Sequence, residues 1–106
     1  MTTFDDREKG FEARFKHDQE LRFKATARRN GLLGMWAAHR MGLTGSDAEA
    51  YAKEVVAAEF EAGGDKHVID KVTSDLSARG HTITAAQVRF ELEHFAEQAK
   101  QQLMKE

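Results

Sequence analysis

The stretch ELRFKATARRNGLLGMWAAHRMGL, residues 20–43, decides the fold. It is the longest candidate helix in the chain and carries its only Trp. At about 100° per residue, Leu21, Ala25, Leu32, Trp36 and Leu43 share one side, and Phe23, Ala27, Gly34, Ala38 and Met41 lie roughly opposite. A surface helix needs a single apolar stripe. Two stripes predict a helix packed on more than one flank, with small residues at 27, 34 and 38 admitting a close neighbour. Gly31 and Gly34 each cost about 1 kcal/mol against Ala in a helix interior, so packing must hold the segment helical. The stretch is the central pillar of a helix bundle.

The same stretch is a positive island. No acidic residue occurs from Leu21 to Ser46, whereas Arg22, Lys24, Arg28, Arg29 and Arg40 do, in a chain of formal net charge −2. Lys24 and Arg28 stand one helical turn apart, and Arg22 and Arg29 two turns apart, which makes two small clusters. Such an island is either a solvated face paired with acidic neighbours or a site for phosphate or an acidic protein surface.

Before the pillar, MTTFDDREKGFEARFKHD is densely charged, and Phe4, Phe11 and Phe15 are its large apolar side chains apart from Met1. At helical spacing the three rings form a narrow stripe, interrupted by Gly10. A helix of this length is marginal alone. The arm is expected to be loosely ordered when free and helical once something covers the phenylalanines. The alternative is that the stripe folds back onto the bundle.

Beyond the pillar, Gly42–Gly45 reads as a turn, and Ser46-Asp47-Ala48-Glu49 as a capping box. The helix it opens is expected to run to about Ala62, burying Ala48, Tyr51, Ala52, Val55 and Ala58, and to stop at Gly63-Gly64. Asp65 is the expected cap of a third helix with Val68, Ile69, Val72 and Leu76 on one face. Gly80 suits the position just after its end. Thr84-Ala85-Ala86-Gln87 is a second capping box, with Ile83 and Val88 as a hydrophobic staple. Val88, Leu92, Phe95, Ala99 and Leu103 line the fourth helix. No segment sustains a period of two. The expected fold is all-α, a four-helix bundle over residues 20–106 behind a polar N-terminal arm over residues 1–19.

Composition narrows the function. A chain of 106 residues is one domain able to bury a core. The absence of Cys excludes disulfides and thiolate chemistry. No apolar run approaches the ~18 residues that span a membrane. A pI near 6.2 argues against a general nucleic-acid binder. Glu91-Leu92-Glu93-His94 holds one Glu-x-x-His, but the di-iron bundles that use this spacing need it twice. His17, His39, His67 and His81 lack partners at ligand spacing. Phosphate loops, dinucleotide fingerprints and nucleophile elbows are missing. The expectation is no enzyme, no catalytic residue and no metal site.

TTFDDREK, KATARRN and EAYAKEVV, all long and ungapped, resemble the zeta subunit family, the small inhibitors of the F-type ATP synthase in alpha-proteobacteria. The likeness is dense to about residue 61 and looser beyond. The chain departs from the pattern at Gly31, where a long basic residue is expected, at Gly63, where Pro is expected, and at Gly10. The resemblance implies an N-terminal arm that enters a catalytic alpha/beta interface of the F1 sector and blocks rotation in the ATP-hydrolysing direction. It also implies ADP or ATP as a regulatory ligand on the bundle, and a cytoplasmic protein held at the inner membrane's cytoplasmic face through the synthase. On the residues themselves, Phe4, Arg7, Glu8, Phe11 and Phe15 are the expected partner-binding set. Lys24, Arg28 and Arg29 are the expected phosphate contacts, chosen by charge and spacing. Two other functions compete: a small nucleic-acid-binding bundle using the basic pillar, and a nucleotide-sensing helical module with some other partner.

Overall fold

The computed structural model describes residues 3–61 and 63–106, with side chains from Asp6 onward. Among the described residues it is all helix: α1 (Thr3–His17), α2 (Gln19–Arg40), α3 (Gly45–Ala58), α4 (Gly64–Ala78) and α5 (Ala85–Met104). Five helices stand where a four-helix bundle behind a loose arm was expected. The additional one is α1, the arm itself.

The pillar reading is correct: α2 is the longest helix and touches all four others. Its buried set is Leu21, Ala25, Asn30, Leu33, Gly34, Ala37 and Ala38, which differs from the two expected faces in detail. Leu33, Ala37 and Asn30 are the additions. Phe23 is 55% exposed and stacks on Phe60, which follows the end of α3, instead of facing the core.

One close approach sets the α2–α3 register. A Cβ added at Gly34 would lie 2.7 Å from Ala52 Cα and 3.2 Å from the Cβ atoms of Ala52 and Val55. The bare backbone at position 34 therefore lets α3 press against α2. Three residues back, a Cβ at Gly31 would meet only Val56 Cγ2, at 3.7 Å, an ordinary contact distance. Contacts that fall along α2 while rising along α3 make the pair antiparallel.

Helix ends follow local chemistry where side chains can reach. Gly42 (φ 83°) and Gly80 (φ 85°) adopt the left-handed conformation after α2 and α4. Leu43 N donates to Ala38 O and His81 N to Leu76 O, closing a Schellman turn at each site. At α5 the Thr84–Gln87 capping box forms as expected. Ile83 packs against the core that holds Val88.

Two expectations fail. The Ser46–Glu49 box is not used, because α3 already begins at Gly45 with Thr44 as its N-cap. Asp65 does not cap α4 either: Gly63 does, at φ 110°, and Asp65 sits within the first turn. In each case the chain turns earlier than the side-chain cue. The helix before Gly63 also stops short, at Ala58.

The main core joins α2 to α5 through Leu33, Ala37, Tyr51, Val55, Val68, Val72, Leu76, Val88 and Leu92, and among the described residues contains none from α1. A separate cluster, Phe11, Leu21, Ala25 and Leu103, sits where α1 lies on α2 and α5. Two stacked cores make a rod of 49 × 27 × 26 Å with a radius of gyration of 15.0 Å, against about 13 Å for a compact chain of this length. Tyr51 links α3 to α4 by donating to Asp75 (2.7 Å). Burial first, then this acidic partner, pushes its phenol well above the ordinary tyrosine range.

The two glycines of α2 should respond with opposite sign. Gly34→Ala should lower stability by about 1–3 kcal/mol through overpacking against Ala52. Gly31→Ala should raise it by up to about 1 kcal/mol through helix propensity. Urea unfolding of both variants reads the difference.

Candidate functional site

The arm forms a defined surface on the bundle. Phe11 is 6% exposed and packed with Leu21, Ala25 and Leu103. Phe15, half-buried beside it, has its ring centroid 6.0 Å from that of Phe11. From α5, Lys100 pairs with Glu12 and stands 5.2 Å over the Phe15 ring. Of the expected partner-binding residues, then, Phe11 and Phe15 share one face, turned inward. Arg7 is exposed and Glu8 half-buried. The side chain of Phe4 lies outside the described residues. Asp18 is the one non-helical residue between α1 and α2, at φ −107° and ψ 102°. Its carboxylate accepts from Leu21 N at 3.0 Å, which starts α2 in a new direction.

The basic island does not present free cations in a row. Arg29 donates to Glu59 (2.7 Å) and Asp65 (2.9 Å), and its Nε donates to Asn30 Oδ1 (3.0 Å). The Asn30 amide in turn donates to Glu59 (2.9 Å). Asn30 is fully buried, and the Arg29 and Glu59 side chains are only 13% and 14% exposed. Arg28 pairs with Glu106, and Lys24 lies 3.8 Å from Glu20. The expected set Lys24, Arg28 and Arg29 is thus spread over four acidic partners, Glu20, Glu106, Glu59 and Asp65. Arg28 and Arg29 of the acid-free stretch are paired with carboxylates from the end of α3, from α4 and from the end of the chain. No helix among the described residues is long and apolar enough to cross a membrane.

Residues 1–102 match the family model described as ATPase inhibitor subunit zeta. The chain belongs to the zeta family. In fold it is similar to a protein solved by solution NMR, at 45% identity and a TM-score of 0.70, over 80% of this chain and 96% of that one. The search of curated proteins returns no match.

Several features of this zeta-family chain escape a reading by periodicity. Phe23 and Phe60, each 55% exposed, stack at 4.9 Å between centroids. They border an open cavity of about 390 Å³ that Arg22 also lines. A second groove, about 410 Å³, runs between Trp36, Arg40, Ile83 and Phe90, with the Arg40 guanidinium 5.1 Å over the Trp36 ring. Glu91 and His94, the lone Glu-x-x-His, face each other at 3.7 Å. The polar bridge at Asn30 had one cue: a short polar side chain of poor helix propensity inside the pillar.

The bridge should matter to stability. Arg29→Ala leaves Glu59 nearly buried without its cation. A fully buried pair loses about 3–5 kcal/mol when one partner is removed, and the residual exposure here trims that to about 2–3 kcal/mol. The hydrogen bond from Arg29 holds the Asp65 carboxyl below its ordinary value of 3.8. A folded-state value below the unfolded one means stabilisation that is present above about pH 4 and lost as pH falls further. Urea midpoints should drop between pH 5 and pH 3 in the parent, and by less in Asp65→Asn, whose stability at pH 7 is lower.

Proposed function

We propose that this chain inhibits ATP hydrolysis by the F1 sector of an F-type ATP synthase. In this reading α1 enters a catalytic alpha/beta interface and hinders the rotor. Membership of an ATPase inhibitor family carries the reading. Three structural features support it: an N-terminal helix whose buried residues stay out of the main core, a paired phenylalanine face, and a single hinge residue at Asp18. Phe11 and Phe15 are the central anchors and Arg7, Glu8 and Glu12 the polar rim, the pattern of an amphipathic helix laid in a groove. By its spacing in the sequence, Phe4 belongs to the same proposed set. The proposed setting is the cytoplasmic face of the inner membrane, reached through the synthase.

Adenine nucleotide is part of the same proposal, as a regulatory ligand on the bundle. The contacts differ in readiness. Lys24 is exposed, whereas phosphate at Arg28 must displace Glu106, and at Arg29 must displace Glu59 and Asp65. Those same carboxylates weigh against the nucleic-acid reading, since the Arg28–Arg29 pair it needs is already neutralised.

Purified chain added to the cognate F1 sector should suppress ATP hydrolysis. Phe11→Ala with Phe15→Ala should abolish that suppression while near-UV circular dichroism of the Trp36 region stays unchanged. Full inhibition by the double variant would refute the role of this face. For nucleotide, amide shifts on adding ADP should map to α2 around Lys24 and Arg28 and weaken in Lys24→Ala. Shifts confined to α4 and α5 would place the ligand elsewhere.

A further inference from the structure

Resting on the reading that α1 acts through its phenylalanines, a second consequence follows from where those phenylalanines lie. We propose that α1 docked on the bundle is a self-blocked state of the inhibitor, and that the last turns of α5 are the latch that holds it. Phe11 is 6% exposed against Leu21, Ala25 and Leu103. A side chain buried there is not available to a partner groove, so the two occupancies exclude one another.

The contact is built as a latch and not as part of the fold's main support. Among the described residues α1 touches only α2 and α5, and the main core lies entirely in α2–α5. The α5 side supplies three kinds of hold at one place. Leu103, with Met104 beside it, covers Phe11. Lys100 pairs with Glu12. The same ammonium stands 5.2 Å from the centre of the Phe15 ring, within the range of a cation–π contact. The tail end is itself tied down, since Glu106 pairs with Arg28 of α2. On the other side of the hinge only Asp18 lacks helical conformation, so α1 can swing without unfolding either helix.

Mass action sets the consequence. If only the released form binds, apparent affinity equals intrinsic affinity reduced by the released fraction. Weakening the latch therefore strengthens inhibition, and locking it abolishes inhibition. Residues of α5 that never enter the partner would then tune potency.

The test uses changes on α5, which leave the α1 face intact. Lys100→Glu, and separately Lys100→Glu with Leu103→Ala, should accelerate hydrogen exchange of α1 amides by on the order of tenfold or more, with protection of α3 and α4 retained. The concentration giving half-inhibition of F1 ATP hydrolysis should fall several-fold. Lys100→Glu alone keeps Leu103 in place and serves if the double change disturbs α5. Unchanged α1 exchange in both variants, or half-inhibition at the parent's concentration despite faster α1 exchange, overturns the latch. If the parent chain fails to inhibit at all, the functional reading fails, and the exchange measurement still decides whether α5 holds α1.

Discussion

The approach of α3 to α2 at Gly34 is the constraint on which the other contacts depend. With no side chain at that position, the Ala52 backbone comes closer than any Cβ would allow. The helices then run tightly antiparallel, and the end of α3 falls opposite Arg29 and Asn30. That placement brings Glu59 within 2.7 Å of Arg29 and 2.9 Å of the Asn30 amide. It also sets the start of α4, whose Asp65 completes the bridge. A larger residue at 34 would push α3 outward and separate these polar groups together.

The polar bridge answers a problem of helix electrostatics. Glu59 sits at the C-terminal cap of α3, the negative end of the helix dipole, where a carboxylate is disfavoured. Arg29 from the neighbouring helix offsets both charges. Asp65 lies at the favourable end of α4, so it joins the same guanidinium without that penalty. Within a stretch that reads as a surplus of positive charge, Arg28 and Arg29 are, in three dimensions, counter-ions for acidic groups that arrive from elsewhere in the chain.

The two apolar clusters divide the packing of the molecule. The larger holds α2–α5 together, and the smaller holds α1 to their outer end. In a zeta-family chain that division is the useful one. The bundle can be stable while α1 rests on a contact of few residues, so release of that helix need not threaten the fold.

Much of this was legible in residue order. Local interactions within a few positions were read correctly at the Thr84–Gln87 box, the Gly80 turn and the burial of Val68, Ile69, Val72 and Leu76, because each depends on neighbours close in the chain. The all-α class and the central role of residues 20–43 followed from periodicity for the same reason. What residue order left open is whatever depends on which segments meet. Asn30 is buried and not a surface residue because α3 ends beside it. Phe23 is exposed because it meets Phe60 at the surface and not the core. Two orientations of the phenylalanine stripe were equally compatible with its spacing, since periodicity says that three rings share a face but not what that face touches. Only the packed chain, with Leu103 and Lys100 brought from ninety residues away to meet α1, turned that face inward.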